Sequence, residues 1–153
     1  MDIPKISVKI ISSFLGVGYL PFIPGTFGSL AGLAVFYLIK DNAFIYALSI
    51  FILLILGLIT SGAAEKVFKK KDASCIVIDE VCGMLLSLAF LPYYNIKVVF
   101  SGFIIFRILD SLKPYPAGRL QGLAGGLGVM ADDIVASLYT NIVLQAALRL
   151  VSF

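Results

Sequence analysis

The chain contains no histidine and no tryptophan, only two cysteines, and charge at just 14% of its positions. Each shortage removes a class of chemistry. Without histidine there is no phosphohistidine intermediate, and the usual ligand sets for zinc and copper are missing. Cys75 and Cys82 lack the paired spacing of a zinc or redox motif, and neither is followed by an arginine six positions later. They read as small apolar residues in a reducing compartment, with no disulfide and no cysteine-phosphatase loop. No Asp-any-Asp triplet occurs either, which excludes the haloacid-dehalogenase nucleophile. Any phosphoryl chemistry must run on carboxylates.

What the chain does have is apolar surface. Of its 153 residues 60% are apolar, more than a soluble domain of this size can hide from water. Lipid is the expected solvent for much of it. The net charge of +3 comes without basic and aromatic residues interleaved on a polar face, so nucleic acid is not an expected partner. An anionic bilayer surface is. Lys5 and Lys9 precede an apolar run in the manner of a secretory signal, but Pro21 and Pro24 interrupt it and no small-residue cleavage site follows. A retained, interfacial amphipathic helix is expected there.

Five apolar blocks follow, Phe27 to Ile39, Ala43 to Ser61, Val81 to Tyr93, Val98 to Leu109 and Asp133 to Phe153. Only the second and fifth approach the ~20 residues that cross a bilayer core. The others would reach roughly 20 Å, as short transmembrane or re-entrant helices. The expected fold is all-α, one polytopic membrane-embedded helical bundle spanning residues 1–153. With a cytoplasmic N-terminus and a reversal at each block, Lys5, Lys9, Lys66, Lys69, Lys70, Lys71, Arg107, Lys113 and Arg119 lie inside, against Lys40, Lys97 and Arg149 outside. That satisfies the positive-inside rule.

The same topology collects acids at one edge. Asp79 and Glu80 open the third block, Asp110 closes the fourth, and Asp132 with Asp133 opens the fifth. A re-entrant hairpin for the third and fourth blocks would leave these ends on the same side. Capping and dipole complementation account for either pair at a helix start. They do not account for Asp110 at a helix end, where the dipole disfavours a negative charge. An ion pair with Arg107, three residues earlier, is its structural alternative. Five carboxylates with Arg107 and Lys113 leave a local charge of about −3, which calls for a cation. An all-oxygen set suits Mg²⁺, which shares its coordination sphere with substrate phosphate oxygens. A phosphate ester is therefore the expected substrate class.

Two glycine-rich segments border these acids. Pro24-Gly25-Thr26-Phe27-Gly28-Ser29 reads as a turn feeding a helix, with Thr26, Ser29 and free amides able to hold an anion, or as a cap with glycines for helix packing. Gly125-Gly126-Leu127-Gly128 reads as a loop, either flexible enough to bring Asp132 and Asp133 to a ligand or simply connecting.

In order along the chain, Pro24 to Ser29, Ile78-Asp79-Glu80 with Gly83, Phe106 to Asp110, Lys113-Pro114-Tyr115-Pro116 and Gly125 to Asp133 resemble the successive signatures of the phosphatidylglycerophosphatase A family. The resemblance runs from about Pro21 to Tyr139, and five motifs in order are specific. Tyr115 stands where that family often has tryptophan. The resemblance implies a bacterial inner-membrane enzyme that uses Mg²⁺ to hydrolyse phosphatidylglycerophosphate to phosphatidylglycerol, and the topology above predicts its active site at the cytoplasmic face. Carried over by position, Asp79, Glu80, Asp110, Asp132 and Asp133 become metal ligands, with Asp79, Asp110 and Asp133 as the catalytic candidates. Arg107 and Lys113, with Thr26 and Ser29, become the phosphate-binding candidates. A metal-activated water and a covalent aspartyl-phosphate both remain open, as do one metal or two. A cation-coupled transporter would place its carboxylates near the bilayer midplane in paired repeats. A CDP-alcohol phosphotransferase would need a longer Asp and Gly motif than any present here.

Overall fold

The computed structural model describes residues 4–151, and among these every regular element is helical. In chain order they are α1 (Lys5–Ser12), a 3-10 turn (Val17–Tyr19), α2 (Pro24–Ile39), α3 (Ala43–Phe68), α4 (Ile78–Ser87), α5 (Ile96–Leu112), α6 (Ala117–Leu120) and α7 (Gly126–Val151). Local chemistry sets the boundaries. Pro24 occupies the first turn of α2, where a missing N–H costs nothing. Asn42 and Asn95 cap α3 and α5, accepting from the amides of Ile45 (3.0 Å) and Val98 (2.9 Å). Lys69 and Lys113 end α3 and α5 in the left-handed conformation, at φ 53° and 46°.

Among the described residues only α3 and α7 are long and apolar enough to cross a bilayer, as the block lengths predict. A buried core helix would pass the same test, but α3 is not one: only 22% of its most apolar stretch is buried against the rest of the chain. Phe44, Phe51, Ile52, Ile55 and Ile59 face outward, and lipid is the solvent in which that arrangement is stable. α1 packs along α3, burying Val8 and Ser12 while Lys5, Ile6, Lys9 and Ile10 remain outside.

At the centre lies α4. Its ten residues rise only about 15 Å, and it is enclosed by α2, α3, α5 and α7, with nearly every side chain buried. The block expected to run to Tyr93 stops as a helix at Ser87. A helix ending inside a bundle leaves carbonyls without partners, and α7 supplies them. The Asn141 amide donates to the carbonyls of Leu86, Ser87 and Ala89, at 3.4, 3.1 and 2.9 Å, and Gln145 donates to Phe90 (3.1 Å). Asn141→Leu is expected to lower stability by roughly 1–3 kcal/mol, the cost of stranding buried carbonyls. Thermal denaturation in detergent measures it; an unchanged melting temperature would refute the capping role.

Two expectations about α7 are overturned. The segment from Gly125 is not a loop, since α7 begins at Gly126, and Asp132 and Asp133 therefore lie in its second turn and cannot be caps. The reason is packing. A Cβ on Gly126 would sit 1.9 Å from the Leu58 carbonyl oxygen of α3, so the glycine lets two backbones cross and tertiary contact overrides its low helix propensity. The expected end of this block at Phe153 lies outside the described residues.

Candidate active site

Four helix ends meet at one edge of the bundle: the starts of α2, α4 and α7 and the finish of α5. Asp79 and Glu80 occupy the first turn of α4. Asp133 faces them from α7, and the three residues offer carboxylate oxygens all within 4.8 Å of one another. Asp79 and Asp133 are almost wholly buried, at 6% and 3% exposure. One oxygen of each of Asp79, Glu80, Asp132 and Asp133 is buried without a hydrogen-bond partner. Buried acceptors are nearly always satisfied, so this concentration of orphaned oxygens is a place where a cation could bind.

The remaining charges divide into pairs. Arg107 bonds Asp110 at 2.6 Å across one turn of α5, and Asp110 also touches Asp133. Lys113, just past α5, pairs with Asp132. Burial works against the Lys113 charge, but Asp132, Asp133 and Asp110 outweigh it and raise its pKa above the ordinary lysine value. Two of the five acids thus have a cation of their own, and the uncompensated charge resides on Asp79, Glu80 and Asp133. Three carboxylates with no salt bridge among the described residues, at this spacing, could hold a hard divalent metal.

α2 closes the site from the other side. A Cβ on Gly25 would lie 2.4 Å from Glu80 Oε1 and 3.3 Å from Arg107 Nη2, so the first turn of α2 rests directly on the acidic cluster. Thr26, half-buried, belongs to that turn. Its amide and that of Phe27 both bond the Ile23 carbonyl. Ser29 lies a turn deeper, fully buried, its hydroxyl donating to the Gly25 carbonyl (3.1 Å). That leaves Gly25 as the residue of the segment shown against a carboxylate.

Gly25 and Gly28 separate function from packing. At Gly25 a Cβ meets the end of the Glu80 side chain, which can swing aside, whereas at Gly28 it meets Val77 Cβ (2.9 Å) and the Val77 carbonyl (3.1 Å). Gly25→Ala is therefore expected to keep its melting temperature but lose about 10²-fold in activity through a displaced Glu80. Gly28→Ala should instead lose stability. Comparing melting temperature with turnover for the two variants checks this; equal stability losses would refute it.

One site neighbour carries no motif that singles it out. Asp72, in the α3–α4 connection, accepts from Gln121 Nε2 at 2.9 Å and exerts its charge on both Asp79 and Asp132. Its sequence signal is faint, an acid closing a lysine run at the edge where the other acids gather.

The sequence profile of the family described as phosphatidylglycerophosphatase A matches residues 10–148. A phosphatidylglycerophosphatase A of Escherichia coli is 38% identical over 123 residues, 79% of this chain and 72% of that protein. One of Haemophilus influenzae is 31% identical over 142 residues, covering 91% and 87%. A Bacteroides thetaiotaomicron protein provisionally named phosphatidylinositol-3-phosphatase is 29% identical over 155 residues, covering 96% and 97%. No solved structure matches the chain.

Proposed function

The chain belongs to the phosphatidylglycerophosphatase A family, and from that premise we propose that its acidic cluster hydrolyses the phosphomonoester of phosphatidylglycerophosphate with Mg²⁺ held by Asp79, Glu80 and Asp133. The protein is a lipid phosphatase of phosphatidylglycerol synthesis. The observation that carries the metal reading is the trio of carboxylates within 4.8 Å, with buried, unpartnered oxygens and no cation of their own. A bound Mg²⁺ would supply Lewis-acid stabilisation of the charge that develops on the phosphate oxygens.

The protein's own groups supply the rest. Arg107 and Lys113 are poised to exchange partners. When a phosphate dianion enters, both can turn from Asp110 and Asp132 to its oxygens, which leaves the Asp110 carboxylate free to act as a base and Asp132 as a further oxygen donor that would help hold the cation. Gly25 and Thr26, at the start of α2, border the same space and favour negative charge there through the helix dipole. Ser29 holds that turn in place. Asp110, at the rim, receives the proton of the attacking water as its oxygen bonds phosphorus. The ester P–O bond breaks, Asp110 passes that proton to the departing glycerol oxygen, and inorganic phosphate is released. Every element of the site lies at the bundle edge that carries Lys66, Lys69, Lys70, Lys71, Lys113 and Arg119, while Lys40, Lys97 and Arg149 lie at other helix ends. Under the positive-inside rule this distribution supports a site at the cytoplasmic face of the bacterial inner membrane.

The test is phosphate release by the purified protein in detergent micelles. Phosphatidylglycerophosphate should yield inorganic phosphate and phosphatidylglycerol, and phosphatidylglycerol itself, a diester, should yield none. Absence of release from the monoester with Mg²⁺ present would overturn the reading.

A further inference from the structure

We propose that the cleft beside the acidic cluster, lined by Lys71, Asp72, Gly118, Gln121 and Gly122, is a headgroup subsite that binds the glycerol hydroxyl and the inner phosphodiester of the substrate. This rests on the phosphatase reading above and deepens it. The cleft has a volume of about 490 Å³ and a wall that differs in chemistry from the metal trio: a carboxylate, a carboxamide, an ammonium and two glycines.

Three observations converge on it. Asp72 stands at φ 46°, a left-handed conformation that is uncommon for a residue other than glycine and is kept where the surroundings enforce it. Here Glu65 Oε1 accepts from the Asp72 amide at 2.9 Å, and Gln121 holds its carboxylate at 2.9 Å. Gly118, in the cleft wall, also packs on the Lys113 backbone, where a Cβ would lie 3.2 Å from the Lys113 carbonyl oxygen, and Lys113 pairs with Asp132, so the cleft borders the Lys113–Asp132 side of the acidic cluster. Finally, the Lys71 ammonium is exposed and makes only a long bond, 3.4 Å, to the Gly122 carbonyl. It is a cation with little to hold it.

The substrate's chemistry fits this wall. A phosphate monoester bound at the trio carries on its other side a glycerol with one free hydroxyl, then a diester phosphate. Asp72 can accept a hydrogen bond from the hydroxyl and would repel the diester. Gln121 can donate to the hydroxyl oxygen, and Lys71 can pair with the diester. A lipid phosphomonoester without the intervening glycerol has nothing to place in the cleft.

The experiment uses Gln121→Leu and Lys71→Gln, with phosphatidylglycerophosphate as substrate and inorganic phosphate as a competitive inhibitor that reaches the reacting site alone. Each variant is expected to raise KM about tenfold, the effect of one lost polar contact to a bound ligand. kcat should stay within about twofold and the inhibition constant of phosphate should not move, which also shows that the site is folded. Unchanged KM in both variants, or KM and phosphate inhibition shifting together, would overturn the subsite. So would a lower melting temperature with unchanged KM, which would make the Asp72–Gln121 bond a structural tie between loops. If the wild-type protein releases no phosphate from the lipid, it is the underlying phosphatase reading that fails.

Discussion

In excess EDTA the purified protein is expected to release no phosphate from phosphatidylglycerophosphate, and added Mg²⁺ to restore full turnover. The argument is electrostatic. Asp79, Glu80 and Asp133 present three carboxylates within 4.8 Å, while Arg107 and Lys113 are already committed to Asp110 and Asp132. A phosphate dianion entering this crowded set of carboxylates is repelled, and Coulomb energies grow as the effective dielectric falls in a buried site. A second, activity-independent readout follows from linkage. A cation that binds only the folded protein stabilises it by about 2.7 kcal/mol at a hundredfold excess over Kd, so Mg²⁺ should raise the melting temperature in detergent. Asp133→Asn should be more stable than wild type in EDTA, since it removes one of three mutually repelling charges. It should lose most of the Mg²⁺-induced shift and fall on the order of 10³-fold in kcat/KM. Full turnover in EDTA, or a Mg²⁺ shift that survives in Asp133→Asn, would defeat the assignment of the trio.

The gathering of these acids is legible in the sequence, because charge in a chain this apolar is scarce and its placement informative. Asp79, Glu80, Asp110, Asp132 and Asp133 sorted to one edge by block order alone, and in the structure they converge. Their division of labour was not legible. Which carboxylates have a cation depends on the rotation of α5 and α7 about their axes, and a helix buried on several sides carries no amphipathic record of its rotation. The start of α7 was misread for a related reason: Gly126 signals a break locally but serves a backbone crossing with α3, which only the partner's position reveals. The length of α4 was hidden in the same way. Apolar residues continue past Ser87 to Tyr93, and the helix end is set by Asn141 and Gln145, which lie more than fifty positions away.

Asp110→Asn is where the structural and the catalytic accounts of one residue part. Asp110 has two contacts that pull in opposite directions, an ion pair with Arg107 at 2.6 Å and a carboxylate contact with Asp133. Asparagine keeps the shape and can still accept from Arg107, while it removes a charge from the crowded side. If Asp110 serves the metal and the reacting water, the repulsion relieved toward Asp133 offsets the weakened pair with Arg107. Stability in EDTA should then stay within about 1 kcal/mol of wild type. Turnover should fall on the order of 10²-fold or more, since a group acting in proton transfer and metal ligation has been neutralised. If Asp110 is only the partner of Arg107, the variant leaves a guanidinium poorly compensated at the membrane edge. That predicts several kcal/mol of lost stability with turnover per folded molecule largely retained. Melting temperature in EDTA and Mg²⁺-dependent phosphate release, measured on one preparation, separate the two. The catalytic account expects a stable, inactive Asp110→Asn, and a destabilised, active one would remove Asp110 from the mechanism.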